Sequence, residues 1–353
     1  MNRTEQNRTE QIESSSVKKD YRYLNILRIV AMISVVAIHS IETPMRDLPL
    51  VPTNTLYGWK IFSSFLNAFA VPVFIMISGA LFLNPEKEIT LKKLYLKNAL
   101  RIFLDIMIFG SIFALMEIVF TNKTFVFTDI FKAIYNTLCG KTWGHMWYLY
   151  MTFGLYLVTP VFRSFVKSVS DKDFLIVLLV LYILSIVFPL FGKLTNIHLG
   201  FYVPVHGFIF YYLLGYAIHC EKLKIKNWLC ILLFSVSTVC LIFWDIHLIN
   251  LDKTKGLVFV TQYVGVLTAS VFAFCKNNIH GSTNKVEKFV AGTSLGVYIF
   301  HVVFLHLIYK MTSFTPLNYS PWICYPVIIL GTTLISMFVT WIGKLIPGIK
   351  KIL

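Results

Sequence analysis

Residues 22–41 read RYLNILRIVAMISVVAIHSI, an apolar run that carries Arg28 and His39 in its interior. About twenty apolar residues is the length of helix that crosses a hydrocarbon layer roughly 30 Å thick. Runs of the same kind recur at 60–83, 102–120, 145–163, 174–192, 205–219, 228–247, 259–275, 290–310 and 322–343. They predict an all-α, polytopic membrane helix bundle of about ten transmembrane helices.

Composition leads to the same class. Of 353 residues, 57% are hydrophobic and 14% charged, with a mean hydropathy of +0.71, too little polar surface to clothe a soluble globule. The lipid bilayer is therefore the chain's first partner. The formal charge of +15 would point to nucleic acid in a soluble protein, but here the cations sit in short clusters between apolar runs, as a topology signal does. No nucleic-acid role follows from it.

With the N-terminus inside, 22 of the 32 Lys and Arg fall in inside segments, nine fall outside and Arg28 lies within the first span. This asymmetry predicts cytoplasmic N- and C-termini. Residues 1–20, with the near-repeat NRTEQNRTEQ and no apolar signal core, read as a disordered cytoplasmic tail. Residues 21–346 read as the transmembrane domain and 347–353 as a short basic cytoplasmic tail. Between the third and fourth spans, FVFTDIFKAIYNTLCG (125–140) has the pattern of an amphipathic helix at the outer interface. The six cysteines are scattered, without the paired spacing of a zinc site or a disulfide framework, and read as packing residues.

Arg28 and His39 are eleven residues apart, about three helical turns and a rise of about 16 Å, so they share one face of the first helix. An arginine within a span is costly unless it meets a partner or a wet cavity. The bland reading has Arg28 snorkelling to the interface and His39 in the headgroup region. It leaves the shared face without a reason, whereas a site lined by both residues accounts for it.

YLNILRIVAMISVVAIHS (23–40), VPVFIMISGALF (71–82), HMWYLYMTFGLYLVTP (145–160), FYYLLGYAI (210–218) and SLGVYIFH (294–301) follow one another along nearly the whole chain. Together they resemble the membrane acyltransferase-3 family, integral membrane enzymes that O-acylate sugars of surface polysaccharides. The chain looks like a compact member without an appended soluble domain. The resemblance implies an acyl-coenzyme A donor, usually acetyl-CoA, as co-substrate. It also implies an acceptor hydroxyl on a cell-surface glycan or its lipid-linked precursor, a bacterial plasma-membrane location, and no metal or tightly bound cofactor.

Residue by residue, the resemblance makes Arg28 and His39 the essential catalytic pair, with His39 acting as general base or transient acyl carrier and Arg28 helping to hold the donor. The chemistry agrees independently. A hydroxyl is a poor nucleophile at neutral pH, an imidazole titrating at about 6.5 can take its proton, and a thioester already has a good leaving group. Arg28 on the inner half of the helix and His39 on the outer half would let a cytoplasmic donor deliver its acyl group outward.

Lys93, Lys97 and Arg101, at spacing i, i+4, i+8, form a candidate stripe for the donor's phosphates, although inward-facing loops carry such cations without any nucleotide. His145 and Trp147 at the start of the fourth span read as an aromatic belt, or through the resemblance as part of the acceptor site, together with Tyr298 and His301 from the ninth. His306 reads as structural, and Ser78 with Gly79 as a helix-packing step. Asn25 stands where the family usually has aspartate, removing an ion-pair partner for Arg28. Asp105, Glu117 and Asp245 are alternative partners for Arg28 or His39. The competing class is a transporter or flippase for a small polar solute or a lipid-linked saccharide. Against it, the halves show no inverted repeat and no matched pair of broken helices.

Overall fold

The structure, a computed structural model, describes residues 21–51, 53–195, 207–250 and 265–353. The expected tail over 1–20 and the first residues of the sixth and eighth predicted spans lie outside the described residues. Within them the chain forms α1 (Arg22–Asp47), α2 (Asn54–Phe82), α3 (Leu91–Asn122) and α4 (Thr128–Leu138). There follow α5 (Gly144–Ser168), α6 (Asp171–Gly192), α7 (Phe208–His219), α8 (Asn227–Asn250), α9 (Gly265–Asn278), α10 (Lys285–Met311) and α11 (Pro321–Gly343). No strand occurs among the described residues.

Eight of these helices are long and apolar enough to cross a membrane. The described parts of the sixth and eighth predicted spans are the shorter α7 and α9, of 12 and 14 residues. The segment 125–140 contains the 11-residue α4, which buries Ala133 and Thr137 and leaves Phe127, Phe131, Tyr135 and Leu138 exposed. That division is the amphipathic one its sequence predicts.

Small residues set the closest crossing. A Cβ at Gly79 would overlap the backbone of Tyr212, and one at Gly215 the backbone of Met76. The two glycines thus let α2 and α7 meet backbone to backbone, the contact that lipid-solvated helices use in place of a hydrophobic drive. The adjacent Ser78 does not share in it; its Oγ donates to the Phe74 carbonyl at 3.1 Å and its side chain faces a cavity.

The first and ninth predicted spans, α1 and α10, are tied at their N-termini. Asn284 caps α10 in a reciprocal box with Glu287, and the same Glu287 accepts a fork from Arg22, Nε to Oε2 at 3.0 Å and Nη2 to Oε1 at 2.7 Å. Asn25 Nδ2 donates to Thr283 Oγ1 at 2.9 Å. The helices therefore start level and run side by side. Seventeen residues beyond Arg22 and fourteen beyond Glu287 are rises of about 26 and about 21 Å, which brings His39 and His301 to a similar height.

The segments that the charge pattern assigns to the inside meet at one end of the bundle. Besides Arg22 with Glu287, Lys222 pairs with Asp171 at 2.5 Å, and Arg163 donates to the carbonyls of Phe82, Asn84 and Lys87 just past α2. Glu221 lies between Lys224 and Lys276, at 3.1 and 3.4 Å, and these cations hold its carboxyl below the ordinary range. Asn227 meets Asn277 and Asn278. Opposite-charge and amide contacts close together loops that like charge alone would drive apart.

Candidate functional site

Arg28 lines a cavity of about 370 Å³ bounded by α1, α2, α3, α5 and α10. Arg101 and Asn98 of α3 lie on its wall, as do Ser78, Tyr148, Thr152, Tyr156, Ser294 and Tyr298. Tyr148, Thr152 and Tyr156 are spaced i, i+4, i+8 on α5, a polar stripe within an apolar helix. That stripe was present in YLYMTFGLY as a signal, and it predicts a lined cavity as directly as the Arg28–His39 spacing does.

Arg28 keeps a partner despite the missing aspartate, since Nη1 donates to Asn25 Oδ1 at 3.1 Å. The amide oxygen accepts as a carboxylate would, without its charge. Arg101 is more fully engaged. Its Nε donates to the Ile352 carbonyl at 2.7 Å and its Nη2 to the Leu353 carbonyl at 2.6 Å. Ile352 and Leu353 are themselves buried after a 3₁₀ turn over Ile349–Lys351. Lys344 Nζ, following α11, donates to the carbonyl of Gly292 on the cavity wall. The segment after α11 thus folds against the cavity's basic end.

The predicted stripe of Lys93, Lys97 and Arg101 is broken. Leu94–Ala99 is a π-helical turn, whose i→i+5 bonding shifts the angular step that i, i+4, i+8 assumes. Arg101 reaches the cavity, whereas Lys93 and Lys97 stay exposed and do not line it. A second π-helical stretch covers Ile106–Gly110.

Beyond Tyr298 on the cavity wall, three imidazoles from three elements come together. The ring of His39 lies 5.1 Å from that of His301 and 6.5 Å from that of His145, centroid to centroid, and His145 lies 5.5 Å from His301. His145 is presented by a 3₁₀ turn, Gly144–Met146, that opens α5. His301 Nδ1 lies 3.0 Å from the Val297 carbonyl. A carbonyl only accepts, so in the neutral ring the proton sits on Nδ1 and Nε2 keeps its lone pair. That Nε2 is buried without a hydrogen-bond partner among the described residues, while the ring of His145 meets the backbone of Ile299. Buried polar atoms left unpaired are rare and mark places where something else is to be bound. Among the described residues no group of three or more His, Cys, Asp or Glu side chains is placed to hold a metal ion.

Tyr298 joins the two ends. Its ring borders the cavity and lies 5.8 Å from His145 and 5.9 Å from His301, and its hydroxyl donates to the His145 carbonyl. Trp147 does not join the cluster; it is 40% exposed and packs on Phe208 at 5.5 Å. Beyond the histidines, Trp143 stacks on Phe113 at 4.6 Å, meets His306 edge-on, and donates from Nε1 to Glu117 at 3.2 Å. Glu117 is thereby a partner of Trp143, Asp245 is fully buried beside Ser64, and Asp105 is fully buried with no hydrogen-bond partner among the described residues. A larger hollow of about 870 Å³ at the basic end has Arg22, Lys222 and Lys276 on its wall, but all three are in ion pairs.

The fold and site define a multi-pass membrane protein with a cavity that holds two guanidinium groups and, across the ring of Tyr298, a nest of imidazoles. Residues 21–341 match the family model described as an acyltransferase domain, so the chain belongs to the acyltransferase-3 family and is a membrane acyltransferase. No curated protein and no solved structure gives a significant match.

Proposed function

We propose that the protein is an O-acyltransferase that takes an acyl group, acetyl in the first instance, from acyl-coenzyme A on the cytoplasmic side. It passes that group to a hydroxyl of a cell-surface glycan or its lipid-linked precursor at the outer face, in a bacterial plasma membrane. The observation that carries the reading is the gathering of His39, His145 and His301 beside a cavity whose far end holds Arg28 and Arg101.

In this reading the cations receive the donor. Phosphate oxygens are stronger acceptors than the amide oxygen that Arg28 now meets. Donor binding therefore exchanges a neutral partner for a charged one at Arg28. The thioester then lies along the polar stripe of α5. The acceptor hydroxyl enters beside His39, with His145 and His301 lining its pocket.

The hydroxyl oxygen attacks the thioester carbonyl carbon as His39 takes the hydroxyl proton. The C–S bond breaks, the thiolate leaves and regains a proton, and the products are an ester and a free thiol. Should His39 itself carry the acyl group, the imidazole nitrogen is the first nucleophile and the hydroxyl the second, with the same overall balance.

Purified protein given acetyl-CoA and a saccharide acceptor is expected to release thiol and form an ester, and His39→Ala to abolish both. Solute uptake into vesicles with no thiol released would replace this reading with the transporter.

A further inference from the structure

In the conformation described, the three imidazoles of His39, His145 and His301 lie off the cavity wall, on the far side of Tyr298. What stands between is the ring of Tyr298, only 8% exposed, flanked by Tyr148 at a centroid distance of 5.3 Å. Acyl transfer needs the reacting carbon and oxygen about 3–3.5 Å apart, with His39 within hydrogen-bond reach of that oxygen. A thioester confined to the cavity cannot meet that condition while the ring is in place.

The position of Tyr298 suits a movable partition. It sits three residues from His301 on one face of α10, and its hydroxyl donates across to the His145 carbonyl at the start of α5. The hydroxyl therefore latches two helices, and the contact holds the residue that presents one of the imidazoles. Loosening it would free the ring and shift His145 together.

On the acyl-transfer reading above, we propose that Tyr298 determines whether the acyl group goes to the acceptor or to water. With donor alone the ring stays latched, and the thioester is held apart from the imidazoles that would activate water against it. Acceptor binding at the histidines releases the latch, and the acceptor fills the opened space. Opened without an acceptor, the same site admits water. Water oxygen then attacks the thioester carbon, His39 takes a water proton, the C–S bond breaks, and free acid and thiol result in place of ester and thiol.

The test is the partition between acetate and ester made by the full-length protein from acetyl-CoA, with and without a saccharide acceptor. Tyr298→Phe keeps the ring and loses the latch; it is expected to raise acceptor-independent acetate release about 5-fold or more, and to raise the acetate-to-ester ratio with acceptor present. Tyr298→Trp, with a bulkier ring in the same place, is expected to lower both products together. A Tyr298→Phe protein with the wild-type acetate-to-ester ratio overturns the proposal, and so does one that makes neither product, since that would be a group needed for the chemistry itself. Wild-type protein that releases no thiol from acetyl-CoA under any condition would instead remove the acyl-transfer reading and this proposal with it.

Discussion

At the basic end of the cavity the polar groups are provided for by the chain itself. Arg28 donates to Asn25 and Arg101 to the carbonyls of Ile352 and Leu353. At the imidazole end the accounting is reversed, with Nε2 of His301 buried and unpartnered among the described residues. An engaged guanidinium can rest in an apolar bundle at little cost, whereas an unpaired buried nitrogen costs about 1–3 kcal/mol each time the protein folds. The difference teaches that the first end is held in a satisfied state and must exchange partners to bind. The second keeps an unsatisfied nitrogen at the expense of stability, as sites of chemistry do.

The comparison breaks most sharply at His39. His39→Ala is expected to lower acceptor-dependent thiol release by about 10²–10⁴-fold, the range of a lost general base, and to leave donor affinity within about 2-fold. Loss of both together, measured by release kinetics and by donor titration, would mean the two ends are one site without division of labour.

Arg28→Ala should act in the opposite sense, weakening acetyl-CoA binding by about 10–100-fold for a lost charge-assisted hydrogen bond, with a smaller loss in the rate at saturating donor. Titration of donor against thiol release separates the two quantities. An unchanged KM with a collapsed kcat would move Arg28 from the donor end to the chemistry.

His301→Gln removes the free Nε2 lone pair while keeping a polar side chain of similar reach. The expected loss is about 10-fold in rate with donor KM unchanged, read from the same kinetics. The smallest effect belongs to Lys93→Ala and Lys97→Ala, each expected within about 2-fold of wild type in donor titrations, because neither side chain reaches the cavity. A tenfold loss at either would restore the phosphate stripe that the π-helical turn breaks.

Much of this was legible in the first forty residues. The eleven-residue step from Arg28 to His39 already places a cation and an imidazole on one helix face. The clustering of Lys and Arg gives the loops that the structure gathers at one end. Gly79 reads correctly as a packing residue and Asn25 as a changed partner, although the amide still accepts from Arg28. The neighbouring Ser78 reads wrongly, because one residue along a helix is a 100° turn and carries it from the packed face to the cavity.

The departures have local physical causes. A π-helical turn leaves no composition mark in LYLKNA, so the stripe of Lys93, Lys97 and Arg101 assumes a periodicity the backbone does not keep. Arg101 meets Ile352 and Leu353 across some 250 positions of chain, a contact that no local pattern encodes. Trp147 neighbours His145 in sequence but follows a 3₁₀ turn, which turns the two side chains apart. The assembly of His39, His145 and His301 likewise depends on which helices pack together. The link of Arg22 to Glu287 fixes that for α1 and α10, and spacing within either helix does not.

The most direct measurement of the central claim, that one helix face carries the donor at one end and the acyl-transfer group at the other, uses vesicles with the protein in a single orientation. Acetyl-CoA is supplied only on the side of Arg22 and Glu287, and saccharide only on the opposite side. The account predicts ester on the far-side saccharide, lost with His39→Ala. Ester that forms only when donor and saccharide share a side, or that survives His39→Ala, would contradict it.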